Sequence, residues 1–113
     1  MDIHRICDII NGKIITEGLR ELYFTYGFAS DLMSDVLTID KDNVLLITGL
    51  CNLQIIRTAE VVEIKGILLV RNKKPTDDMI ELAEKSKIIL VTSPYSMFHV
   101  CGLLFNEGLK PIF

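Results

Sequence analysis

Ser30, Asp31, Ser34 and Asp35 bring two hydroxyls and two carboxylates within six residues, a set able to hold a ligand through hydrogen bonds. The same residues also suit the start of a helix. There Ser30 accepts the free backbone N–H groups, and the aspartates sit beside the positive end of the dipole. Two carboxylates make an acid–base pair only when their environments differ, so these residues by themselves imply no reaction. A second group follows the apolar run Val44 to Thr48, where Thr48, Gly49 and Asn52 surround a helix start that offers N–H donors to an anion, with Arg57 and Thr58 one turn further on. A single glycine without a following Gly-Lys-Ser/Thr is not a phosphate loop. The plainer reading is a tight turn at Gly49 and a cap at Asn52.

A third junction carries Thr92, Ser93 and Tyr95. Ser93 lacks the positioned histidine and acid of a nucleophile, so no catalytic residue is assigned. His4 with Cys7, and His99 with Cys101, form partial pairs only. A metal centre wants three or four converging ligands, so no metal and no cofactor are expected. Arg71, Lys73 and Lys74 form the one basic cluster, followed at once by Asp77 and Asp78, and read as a solvated loop.

The elements that must position these groups follow from the hydrophobic pattern. Ile3, Ile6, Cys7 and Ile10 have helical spacing over residues 2–10, ended by Asn11-Gly12 with glycine in the left-handed conformation. Lys13 to Thr16 reads as a short edge strand, and Leu22 to Ala29 as an aromatic-rich strand. Ser30 to Leu37 reads as a short helix, Val44 to Thr48 as a strand and Leu53 to Ile64 as a helix. Gly66 to Val70 is an apolar run of the kind covered on both faces. Thr76 caps the next helix, with Met79, Ile80, Leu82 and Ala83 as its buried stripe. Lys87 to Val91 is the following strand, and Ser93-Pro94 then opens a last helix from about Tyr95 to Asn106, ended at Gly108. Alternation of this kind predicts a largely parallel sheet with right-handed crossovers.

Composition bounds the rest. The 113 residues fit one domain, residues 1–113. Half are apolar and mean hydropathy is +0.38, high for a lone domain, which favours a covered apolar surface. The last helix is the candidate, because Phe98, Leu103 and Phe105 lie off the face formed by Met97, Val100, Cys101 and Leu104. Self-association through that helix is therefore expected. A formal charge of −3 gives no electrostatic reason to expect nucleic acid or an anionic membrane. The three cysteines are far apart, without a Cys-x-x-Cys pair, and the opening residues lack the apolar core of a secretory leader. A reduced, cytoplasmic protein is expected.

Taken together, these junctions resemble the DRTGG domain over roughly residues 3–110. Ser-Asp-Leu-Met-Ser-Asp-Val, within Tyr26 to Leu37, resembles the family's Ser-Asp-Leu-Leu-Ser-Asp-Val pattern. Ile47 to Glu60 resembles a subset of stand-alone members, and Gly66 to Pro75 resembles the strand that carries Thr-Gly-Gly. Both name-giving signatures are missing. Gly49, Leu50 and Cys51 stand where the family has Gly-Asp-Arg, and Val70, Arg71 and Asn72 where it has Thr-Gly-Gly. The resemblance implies a three-layer α/β fold like the N-terminal domain of HPr kinase, with helices on both faces, and a non-catalytic role. Elsewhere such domains sit between regulatory nucleotide-binding modules in some pyrophosphatases and within some phosphotransacetylases. Stand-alone relatives accompany iron-only hydrogenase and electron-transfer genes in anaerobes.

The expected function is a regulatory or ligand-binding domain, homodimeric, sensing a nucleotide-like or other anionic molecule. The expected ligand residues are Ser30, Asp31, Thr48, Gly49, Asn52, Arg57 and Ser93. The alternative is a structural accessory module docked on a protein partner such as hydrogenase machinery.

Overall fold

In a computed structural model, which describes residues 1–18 and 22–113, apolar runs become strands of one six-stranded sheet. The elements in chain order are α1 (Ile3–Ile10), β1 (Lys13–Ile14), β2 (Tyr26–Ala29), α2 (Met33–Val36), β3 (Val44–Thr48), α3 (Leu53–Val61), β4 (Gly66–Leu69), α4 (Asp77–Lys85), β5 (Ile89–Thr92), α5 (Met97–Asn106) and β6 (Lys110–Pro111). The strand order is β1-β5-β4-β3-β2-β6. β2 to β6 run parallel and β1 pairs antiparallel with β5.

Side chains alternate between the faces of each strand, and two apolar layers result. Leu46, Ile67, Leu69 and Leu90 point into one layer with Ile55, Ile56 and Ala59 of α3 and Met79 and Ala83 of α4. Leu45, Ile47, Leu68, Ile89 and Val91 point into the other, with Ile3, Ile6 and Ile10 of α1 and Val100 and Leu104 of α5. β3 and β4 are buried along their whole length, which is why they read as unbroken apolar runs. At Gly66 a Cβ would lie 2.6 Å from Cε1 of the buried Phe24, so the ring's place depends on a bare backbone there.

Several boundaries depart from the sequence expectations. α1 is ended by Asn11, not Gly12, in the left-handed conformation (φ 52°, ψ 47°). Gly12 instead passes close to the Cys7 Cα, 3.3 Å from where its Cβ would lie. Only Tyr26–Ala29 of the aromatic stretch enters the main sheet; upstream, the Phe24 N–H donates to the Met1 carbonyl (2.8 Å) and Tyr23 bridges Asp2. α3 stops at Val61, and Glu63 turns the chain at φ 61°. α5 begins at Met97 with Ser96 as its cap, not Ser93, and β6 extends the sheet where no strand was expected. Among the described residues no helix is long and apolar enough to cross a membrane.

Candidate functional site

Parallel strands in register end in a row. Thr48 of β3 aligns with Leu69 of β4, and Leu69 with Thr92 of β5. The Ser30 N–H donates to the Ile47 carbonyl (3.1 Å), which places Ser30 at the adjoining end of β2. Carboxyl ends of such sheets are where ligands bind in α/β folds. Ser30, Thr48, Gly49 and Ser93 therefore share one end of the sheet, though not one cluster.

The β2–β3 half is tied together by Asp31. One carboxylate oxygen accepts from the Thr48 hydroxyl and from the Gly49 N–H, each at 2.8 Å. The Thr48 hydroxyl in turn accepts from the Leu50 N–H (3.1 Å), and Thr48 is fully buried. Contrary to the expectation from sequence, Asp31 does not belong to the first turn of α2; that helix starts at Met33 without a side-chain cap. Ser30 likewise does not cap it but closes a local turn, its Oγ accepting from the Leu32 N–H (3.0 Å). Asp35 alone lies in the first turn, so Asp31 and Asp35 are not a paired set on one helix.

Asn52 caps α3, its Oδ1 accepting from the Ile55 N–H (3.1 Å), and Thr76 caps α4 in the same way (3.3 Å). Arg57, exposed and one turn along α3, lines a groove against α4 with Asp78 and Glu81, away from Asp31. Ser93 is excluded from the Asp31 cluster by strand alternation. Ser93 directly follows β5 and its N–H still donates to the Leu69 carbonyl, so it continues the alternation and points to the α1 side while Thr92 does not. The buried Ser93 hydroxyl donates to the Ile10 carbonyl (2.7 Å) and accepts from the Tyr95 N–H (3.2 Å). With strands about 4.8 Å apart, β5 also stands about 10 Å from β3.

Between the two halves lies the loop after β4. Arg71 and Asn72 both take positive φ (58° and 57°), and their N–H groups donate to the Tyr95 and Ser93 carbonyls at 2.8 and 2.9 Å. Beside this loop opens a cleft of about 310 Å³ lined by Lys13, Asn72, Lys73, Lys74 and Thr92. In sequence this cluster has the pattern of a solvated loop, and nothing local announces that Lys13 joins it through the Lys13–Thr92 pairing. Cys51 packs against the same loop, its thiol 3.4 Å from the Lys74 carbonyl. Burial pushes that thiol's pKa up, while the Lys73 charge pulls the other way. Among the described residues no three His, Cys, Asp or Glu side chains converge as metal ligands would.

No family model matches this chain, and no curated protein matches it. Among solved structures, the fold is similar to the CBS and DRTGG domains of the regulatory region of a Clostridium perfringens pyrophosphatase, complexed with its activator diadenosine tetraphosphate. The TM-score is 0.73 at 17% identity, covering 96% of this chain and 47% of that one. This chain thus spans about half the length of that structure, and the likeness at such identity is one of fold.

Proposed function

We propose that this chain is a non-catalytic regulatory domain, residues 1–113, which binds a nucleotide-like or other anionic small molecule along the carboxyl-end rim and acts as a homodimer. The observation that carries the reading is the fold it shares with a regulatory region solved together with a nucleotide activator. The rim agrees with a binding role, since its most suggestive groups, Asp31 and Ser93, hold backbone and hydroxyl partners in place. Gly49 and Asn52, fixed beside the fully buried Thr48, then form the wall that a ligand would meet. Calorimetry with mononucleotides and dinucleoside polyphosphates tests the ligand. Saturable heat with a member of the panel supports the reading, and no heat across it overturns the nucleotide part.

The dimer rests on α5. Phe98 is 90% exposed and Phe105 68%, seven residues or about two turns apart on one stripe. Gly102 lies between them with open space above it. Two copies of α5 crossing antiparallel about a two-fold axis near Gly102 would set Phe98 of each against Phe105 of the other, the self-complementarity a two-fold contact requires. Leu103, half-buried, contributes less. Sedimentation at tens of micromolar should show a dimer for the native chain and a monomer for Phe98→Glu; a monomeric native chain removes this part. The same exposed phenylalanines favour a second reading, a docking face for another protein, for which a stoichiometric partner co-purifying with a monomeric chain is the signature.

A further inference from the structure

We infer that the cleft formed by Lys13, Lys73 and Lys74 is the seat of a small polyanion bearing two or more phosphates. Its position is the first reason. β4 is followed by α4 in one layer and β5 by α5 in the other, so the chain leaves two neighbouring strands in opposite directions at this point. That divergence is where open α/β sheets form their ligand crevice. The cleft of about 310 Å³ beside it is of the size that small-molecule sites have.

Charge is the second reason. Three lysines from two separate segments line this cleft, and among the described residues no carboxylate does. Among the described residues the one ion pair is Arg5 with Glu107, so no carboxylate lies within salt-bridge distance of any of the three. Asp78, close in sequence, lines the separate groove beside Arg57. Like charges gathered in a chain of formal charge −3 repel one another, and a multivalent anion relieves that repulsion. Lysine serves phosphate as a point charge, and the Thr92 hydroxyl and Asn72 amide add neutral donors.

Rigidity is the third. The Arg71 and Asn72 N–H groups fasten the loop to the segment after β5, and Cys51 holds it at the Lys74 carbonyl. Backbone that is already ordered carries less entropic penalty on binding. Ile15 and Ile80 give the cleft an apolar wall on which the uncharged part of a ligand can rest.

This inference rests on the regulatory-ligand reading only for which natural molecule brings the phosphates, and its test uses an inorganic probe. Isotope-labelled chain titrated with sodium tripolyphosphate should show saturable amide shifts centred on Lys13, Asn72 to Lys74 and Thr92. Lys73→Ala with Lys74→Ala should weaken binding about tenfold or more, since a hydrogen bond to a charged group has roughly that worth. Lys73→Arg with Lys74→Arg should largely retain it. No saturable binding, shifts centred on Thr48 to Asn52, or an alanine variant that binds like the native chain would each overturn the inference. A nucleotide that binds at Thr48 to Asn52 while tripolyphosphate leaves the lysines untouched rejects this seat and keeps the regulatory reading. Tripolyphosphate at the lysines with no response to any nucleotide does the reverse.

Discussion

Where β2 and β3 end, the Asp31 carboxylate is taken up by the Thr48 hydroxyl and the Gly49 N–H; where β4, β5 and β1 meet, three lysines line a cleft that no carboxylate among the described residues lines. Both places lie at the same end of one sheet, the first in the loops after β2 and β3, the second in the loop after β4 beside Lys13 of β1 and Thr92 of β5. The first has its polar groups satisfied within the protein, and the second presents polar groups outward. A rim of this kind divides its labour. Side chains that look reactive in sequence hold loops, and the groups free to meet a ligand are those whose sequence context looks like ordinary solvated surface.

The sharpest way to break that comparison is to remove the tie. Asp31→Ala leaves the buried Thr48 hydroxyl without its acceptor and the Gly49 N–H unpaired, a loss of about 1–3 kcal/mol. Chemical denaturation should show it as a lowered midpoint at unchanged slope, and Asp31→Asn, which keeps one carbonyl acceptor, should lose less. An Asp31→Ala chain as stable as the native one would mean the carboxylate is free for a ligand after all. Ser93→Ala tests the same proposition on the α1 side. It strips the partner from the Ile10 carbonyl and the Tyr95 N–H in a buried site, and about 1–2 kcal/mol should be lost.

The lysine side predicts the opposite. Lys73→Ala with Lys74→Ala should change stability by no more than about 0.5 kcal/mol, as exposed substitutions away from ties and caps do. A large destabilisation would show that these side chains brace the loop, and the two halves of the rim would then be alike.

How much of this could be read from the chain depends on how local each cause is. The runs Val44–Thr48 and Gly66–Leu69 are buried on both faces, so unbroken hydrophobicity marked them. Asn52 and Thr76 act on N–H groups three residues on, within the window that a capping pattern covers. Ser93-Pro94 has the same local pattern, yet its hydroxyl goes to Ile10, 83 residues away, and Ser96 does the capping. That choice is made by strand alternation, which a local pattern does not contain. Asp31 was expected to serve its own helix and reaches Thr48 and Gly49 across the sheet instead. β6 has no sequence signal because Lys110–Pro111 is two residues long and one is proline, which edge strands tolerate but strand patterns lack. The shared sheet end was legible, and the partition of its groups into satisfied and unsatisfied ones needed the register.

Cys51 lies between the two halves and gives the finest measure of the difference. Its thiol pKa is raised by burial, and the Lys73 ammonium opposes that rise. A raised pKa means less thiolate at any pH below it, so alkylation at pH 8 should run slower than for free cysteine and accelerate as pH rises. Cys7, whose pKa burial pushes up to about 11 with Asp8 adding to the rise, should be slower still. Replacing Lys73 by alanine removes the opposing charge and should slow Cys51 further, with Cys7 unaffected. A polyanion bound at the lysines should have the same sense, because it cancels the Lys73 field and shields the thiol. Mass spectrometry of the alkylated peptides reads both sites in one sample, with Cys7 as the internal standard. An unchanged Cys51 rate in Lys73→Ala would mean that the lysine field does not extend to the Asp31 half, and that the two halves of the rim act independently.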